Sequence, residues 1–413
     1  MRAIRAPSKL VTRIASFWLL APWPVPAQVQ LVHAADGGSH ARPVGKRVSI
    51  QAPLGLPPVP IPPDNPPTAE TIALGRRLYY DPALSVDETV ACATCHDPSM
   101  GFTDHKPVST GVQSKTGTRS APTVINSAYN RTLFWDGRAP TLEKQAEGPL
   151  QNPLEMAQTL AGVVERLDTS DQYREEFKKA WGSDQITIEE VTKSLASFER
   201  TVLSGNSPFD RYYYGGDKKA LSDSARRGLK VFTDPKRGNC AACHIVGKTY
   251  AVLTDHKFHN IGIGANTDGS LTDPGRYSTT KNDADMGTFK TPSLRNVTET
   301  APYMHDGSMP NLKDVIDHYI GGGNSNPHLD KRIRVLDFLS GRERSDLLDF
   351  LKSLTGELPP DVGPPDPVKR VEESHGRRIV DPGRTRSRYV GCTRPFLAFI
   401  PATPRKRKRR RSM

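Results

Sequence analysis

Two pentapeptides hold the residue types best suited to chemistry, Cys92-Ala93-Thr94-Cys95-His96 and Cys240-Ala241-Ala242-Cys243-His244. Cys-x-x-Cys-His is the attachment sequence of a c-type haem. Two thiols at this spacing add to the two vinyl groups of one porphyrin, and the adjacent imidazole can bind the iron axially. A four-cysteine zinc site would leave the histidine after each pair unexplained. A redox dithiol would need a βαβ setting that is missing here. The spacing therefore predicts two covalently attached haem c groups. Cys92, Cys95, Cys240 and Cys243 are the anchors, and His96 and His244 the iron ligands. Covalent haem is attached outside the bacterial cytoplasm, so the motifs imply export to the periplasm. The fifth cysteine, Cys392, reads as a free thiol.

The motifs sit in an internal repeat. Gly75-Arg76-Arg77-Leu78-Tyr79-Tyr80-Asp81-Pro82 precedes the first, and Gly228-Leu229-Lys230-Val231-Phe232-Thr233-Asp234-Pro235 the second. Each has Gly, an aromatic four residues on, and then Asp-Pro. Ser222–Phe232 reads as a helix capped by Ser222 or Asp223, with Ala225, Leu229 and Phe232 on one face. Each unit should close with a second helix packed across the first. The candidates are Ile188–Leu203, with Val191, Leu195, Phe198 and Val202 in register, and Leu347–Leu354. The fold class expected is mostly α, two class I cytochrome c-like helical domains with a haem in each. Their bounds are placed at about 66–206 and 207–357.

The ends read differently. Residues 1–27 resemble a short secretory signal, with Arg2, Arg5, Lys9 and Arg13 before an apolar stretch. Residues 28–65 form a Pro-rich arm, and 358–413 a disordered basic tail. The net charge is +12, but Arg405–Arg411 alone supplies seven positives and the N-terminus four more. The near-neutral body argues against nucleic-acid binding. No apolar run approaches the roughly 20 residues of a membrane span.

Over most of residues 66–357 the sequence resembles the dihaem cytochrome c peroxidase and MauG family. The resemblance is carried by Gly101-Phe102-Thr103-Asp104, Arg119-Ser120-Ala121-Pro122-Thr123, Phe134-Trp135-Asp136-Gly137-Arg138 and Leu142-Glu143-Lys144-Gln145. Asn152-Pro153-Leu154-Glu155-Met156, Thr291-Pro292-Ser293-Leu294-Arg295-Asn296 and Ala301-Pro302-Tyr303-Met304-His305-Asp306-Gly307 complete it. It implies that the haem on His96 meets hydrogen peroxide and the haem on His244 handles electrons. Glu155 matches the distal glutamate that moves protons during O–O cleavage. Read without the resemblance, Asn152-Pro153-Leu154-Glu155 is also a helix start with Asn as cap. Trp135 matches the tryptophan between the haems, whose local alternative is a core aromatic. Gln145 and Pro149 match positions shaping the distal pocket, with helix surface and turn as their local alternative.

Met304, His318 and Tyr319 compete for the sixth position of the second haem. In a helix Asn311–Ile320, Leu312, Val315, Ile316 and Tyr319 share one buried face, and His318 falls off it, pointing outward. By resemblance Tyr319 lies where ordinary dihaem peroxidases carry an axial Met and MauG an axial Tyr. The alternative is Met304 as ligand above a core tyrosine. Two departures stand out. Gly238 replaces a MauG tryptophan, and Ser120 replaces an Asn of the family's calcium site, for which the carbonyls of Thr300 and Pro302 remain. Ordinary members also close the resting first iron with a second His. Here Lys106–Thr118 contains none, and His105, the nearest, reads as an exposed turn residue.

The leading expectation is a MauG-like, peroxide-dependent oxidoreductase with an open first haem. The second is a conventional peroxidase fed by a small cytochrome c or cupredoxin. The third is a dihaem electron carrier. Partners implied are hydrogen peroxide and either an electron donor or a protein substrate. Relatives are often dimers, so a homodimer is consistent with the resemblance.

Overall fold

The computed structural model describes residues 41–365, which fall in one compact unit. The signal segment, the arm before Ala41, the basic run and Cys392 lie outside the described residues. The fold is mostly helical. In chain order the helices are α1 (Ala69–Tyr80), α2 (Cys92–Cys95), α3 (Leu142–Gln151), α4 (Leu160–Asp168), α5 (Asp171–Trp181) and α6 (Ile188–Glu199). Then come α7 (Pro208–Tyr213), α8 (Asp223–Thr233), α9 (Tyr277–Thr280), α10 (Leu312–Ile320) and α11 (Gly341–Lys352). The described sheet is a single antiparallel pair, β1 (Phe258–His259) and β2 (Phe289–Lys290), with Phe258 opposite Lys290.

Two apolar cores organise these elements. The first draws on residues from Leu74 to Val202, and the second on residues from Phe209 to Leu354. In each, two helices cross. α1 packs across α6, and α8 across α11. Their starts follow from the sequence. Thr68, Thr187 and Ser340 form capping boxes with Thr71, Glu190 and Glu343, while Ser222 accepts from the Ala225 N–H. Their buried faces follow too. Leu78, Tyr79, Val191, Phe198, Phe232 and Phe350 are nearly or fully buried, each worth about 1.5–3 kcal/mol of transfer free energy for an aliphatic or Phe side chain.

The repeat glycines sit where the helices touch. A Cβ on Gly75 would lie 1.8 Å from the Ser194 carbonyl oxygen, and one on Gly228 would lie 1.9 Å from that of Asp346. No side chain fits at either point. Asp-Pro then ends each helix. Asp81 and Asp234 are the C-caps of α1 and α8, and the following proline disfavours further helix. The chain turns there and delivers the haem motif a few residues later.

The ends of the described segment are more ordered than their composition implies. Within the arm, Leu56 packs with Tyr129 and Leu203. Asn65 is fully buried and donates to Glu143 and to the Lys193 carbonyl. The tail reading is corrected for 358–365. Val362 is buried in the first core, and Leu358 packs against it. The Val362 carbonyl accepts from Tyr80, and the Gly363 carbonyl from Arg76. Side chains of α1 thus capture this segment, through contacts that no local pattern encodes.

Gly228→Ala should push α8 and α11 apart and destabilise the protein by about 2–3 kcal/mol, the cost of overpacking. Denaturant unfolding measures this. A change below about 0.5 kcal/mol, typical of a neutral surface position, would show that the crossing is not tight.

Candidate haem sites and the residues between them

The first motif forms the short helix α2, with His96 as its C-cap. The Tyr79 hydroxyl of α1 donates to the His96 carbonyl at 2.9 Å, tying the motif to the crossing helix. The His96 Nδ1 lies 3.3 Å from the Phe102 carbonyl. A ring that donates there from Nδ1 offers Nε2 to a metal, the usual second partner of a ligating histidine. Burial lowers the pKa of His96, favouring the neutral, metal-binding ring. Burial also pushes the Cys92 thiol up to about 12 and raises that of Cys95.

Glu155 belongs to this site. Its charge acts on both Cys92 and Cys95. The helix-start reading of Asn152-Pro153-Leu154-Glu155 is overturned. α3 ends at Gln151, Asn152 is its C-cap, and the next helix begins at Leu160. Residues 153–156 form a turn. The Asn152 Oδ1 accepts from the Leu154 N–H, and its Nδ2 donates to Glu155 Oε1 at 2.6 Å. Glu155 therefore caps no helix. Burial raises its pKa, while the Asn152 hydrogen bond and the Arg138 charge pull it back. Gln145 and Pro149 both lie on α3, with Pro149 inside the helix rather than in a turn.

The loop 106–118 folds back onto Glu155. The Val112 N–H donates to the Glu155 carbonyl, and Val112 is fully buried. A Cβ on Gly111 would lie 2.1 Å from the Leu154 carbonyl oxygen, so the loop approaches at a glycine. His105, just before the loop, is exposed, and its Nε2 is 2.8 Å from the Glu299 carbonyl.

The second motif opens as a 3-10 turn, Cys240–Ala242. His244 repeats the logic of His96, with Nδ1 3.0 Å from the Leu253 carbonyl and a pKa lowered by burial. It lines a largely apolar cavity together with Cys240, Cys243, Met304, Trp135 and Tyr319. Thioether anchors, a neutral imidazole and apolar walls are the donor set and surroundings a haem c needs. Tyr319 shares the cavity face of α10 with Leu312, Val315 and Ile316. Burial pushes its phenol up, so it stays protonated unless a cation displaces the proton. His318 is off that face, but it is not directed to solvent. It is partly buried, and its Nε2 is 2.9 Å from the Ile261 carbonyl.

Trp135 comes from the first half of the chain and lines the second cavity. Its indole N–H donates to the Ser120 carbonyl, and its own carbonyl accepts from the Lys290 N–H, both at 2.8 Å. The following Asp136 is buried and accepts from Arg119 and Arg138. Arg119 also donates two hydrogen bonds to Asp273. Thr300 and Pro302 line the same cavity. Among the described residues, Cys243, Asp255 and His259 bring ligand atoms within 4.8 Å of one another. That thiol belongs to the second Cys-x-x-Cys-His, and the two His259 nitrogens face Asp255 and Asp330, so the cluster lies at the edge of the second cavity. Two residues without any motif signal also emerge. Glu199 is buried near Cys92, with burial pushing its carboxyl up to about 8, and Lys290 lines the second cavity.

Two helical cores, each delivering a Cys-x-x-Cys-His whose imidazole is oriented by a backbone carbonyl, define a tandem c-type cytochrome. A family model for di-haem cytochrome c peroxidases matches residues 69–219. The chain is 41% identical over 300 residues to the methylamine utilization protein MauG of Methylophilus methylotrophus, covering 72% of this chain and 86% of that one. It is 36% identical over 300 residues to cytochrome c551 peroxidase of Nitrosomonas europaea, covering 73% and 84%. A solved MauG-like protein associated with microbial copper homeostasis superposes with TM-score 0.68 at 34% identity, over 74% of this chain and 95% of that one. The chain belongs to the di-haem cytochrome c peroxidase and MauG family, and it is a dihaem peroxidase.

Proposed function

We propose that this peroxidase is a periplasmic, MauG-like oxidoreductase that takes hydrogen peroxide at an open first haem. The observation that carries this reading is the loop beside Glu155. It is packed in place with no imidazole of its own, and the nearest histidine is engaged by the Glu299 carbonyl. His96 and His244 would hold the two irons, and the four motif cysteines the porphyrin edges. Bound haem would supply the iron that accepts peroxide and the electrons that its reduction consumes.

The chain's own part is proton handling and positioning. Reduction of peroxide to water takes two electrons and two protons. Glu155, held by Asn152, takes a proton from the inner oxygen of peroxide and returns it to the leaving one. Partial burial brings its pKa closer to neutrality, where a group can do both. Gln145 and Pro149, on the helix just before, shape the space above. Trp135, fixed at the indole and at the carbonyl, relays electrons between the sites. Tyr319, which lines the cavity with His244, would be a second protein ligand for that iron. A phenolate is a hard anionic donor and would favour ferric and higher iron there.

Met304 lines the same cavity, and this favours the second reading, a conventional peroxidase drawing electrons from a small cytochrome c or cupredoxin. In the first reading the electrons come from a protein substrate. Calcium at the Thr300 and Pro302 carbonyls is a further proposal. With neutral donors only, its affinity would be low.

Glu155→Gln should keep two haems that survive acid–acetone extraction but slow the reaction with peroxide by roughly 10²–10⁴-fold. Stopped-flow mixing with peroxide is the check, and an unchanged rate would remove Glu155 from the mechanism. Tyr319→Phe should alter the low-spin ferric spectrum of the second haem. Loss of that low-spin signal in Met304→Leu instead would assign the ligand to Met304 and favour the conventional peroxidase.

A further inference from the structure

Among the described residues, no carboxylate pairs with the Lys290 ammonium of the second cavity. Lys290, on β2, lines the cavity together with Trp135, His244 and Tyr319. Its Nζ donates to Asn130 Oδ1 at 3.3 Å, a neutral acceptor. Burial is the one cause acting on its pKa, which falls to about 8, and no carboxylate pulls it back. A second group nearby is equally incomplete. The His256 Nδ1 is buried without a hydrogen-bond partner, and the charges of Arg131 and Lys290 both act on that ring. Asp255 is the acid that acts on His256, but its carboxylate is bonded to His259. A buried ammonium without a counter-charge and an orphaned ring nitrogen are both costly. Together they describe a seat for an anion.

The chemistry of the cavity identifies the anion. A haem is anchored by its vinyl edge and carries two carboxylates on the opposite edge. The anchors Cys240 and Cys243 come from the second motif, whereas the Lys290 Nζ reaches Asn130, in the first half of the chain. Lys290 therefore lies on the wall that the first half of the chain gives this cavity, and a carboxylate on the haem edge opposite the anchors would meet it there. Its backbone N–H meanwhile donates to the Trp135 carbonyl.

We propose that Lys290 is a positioning residue that holds a propionate of the second haem with its side chain and the relay tryptophan with its backbone. The inference rests on the two-haem reading with Trp135 as relay. Its consequence is electrical. A fixed positive charge beside a haem favours the reduced iron, which carries one positive charge fewer. Removing it shifts the reduction equilibrium of that haem toward ferric.

The test is spectroelectrochemical titration of both haems in the holoprotein and in two variants. In Lys290→Gln the reduction equilibrium of the second haem should fall about tenfold, equal to about 59 mV for one electron. The first haem should be unchanged, and Lys290→Arg should titrate like the parent. An unshifted second haem in Lys290→Gln, or a shift of equal size in Lys290→Arg, overturns the proposal. If Lys290→Gln does not accumulate, Lys290→Arg decides. A parent-like potential supports the charge assignment, and a tenfold fall refutes it. Failure of the two-haem reading itself would appear separately, as a parent without two covalently bound haems.

Discussion

The structure depends on one steric constraint, met twice. Two helices must touch backbone to backbone so that the loop leaving the first can carry a haem motif back against the pair. Gly75 under Ser194 and Gly228 under Asp346 meet it. From each contact the same sequence of events follows. An aromatic four residues on fills the core, Asp-Pro stops the helix, and the cysteines and histidine arrive in a half-buried place. Tyr79 adds a direct tie in the first half by donating to the carbonyl of His96. The iron-binding geometry is thus a consequence of helix packing. The imidazoles are oriented by carbonyls that the fold has already placed.

Electrostatics then fastens the parts around the crossings. Arg295 and Asp210 form a fully buried, two-pronged ion pair. The same guanidinium donates to the carbonyls of Gly55 and Ala251. One side chain so joins the arm, α7 and the loop after the second haem motif. Breaking such a pair leaves a buried charge without a partner, at about 3–5 kcal/mol. Around Trp135, Arg119 bridges Asp136 and Asp273, and Arg276 donates to the Asp136 carbonyl. Trp135 is therefore fixed at its indole and its carbonyl, and its neighbour Asp136 is held by groups from several segments. Fixed distances are what the relay role proposed for it would require.

Much of this was legible in the sequence because the signals are local. The Gly-aromatic-Asp-Pro phrase, the caps, the helical periodicity and the cysteine spacing each lie within about a dozen residues. What was not legible has the opposite character. Asn152 looked like a helix cap because an asparagine oxygen accepting from the N–H two residues on is common to caps and turns. Only the preceding helix, ending at Gln151, decides between them. His318 was correctly placed off the apolar face, but its partner is a carbonyl 57 positions away in sequence. Val362 looked like part of a solvated tail, yet its carbonyl is captured by Tyr80. Lys290 carries no motif, and its meaning comes from lining a cavity with no carboxylate paired to it among the described residues.

The central claim is that the first iron is open at rest, because the loop over Glu155 has no ligand to offer. The most direct measurement is electron paramagnetic resonance of the ferric protein as isolated, with no reductant added. The account predicts one high-spin signal from the first haem beside one low-spin signal from the second. Peroxide added to the same sample should change the spectrum at once. Two low-spin signals, one of bis-histidine character, with no response to peroxide until an electron is supplied, would contradict it.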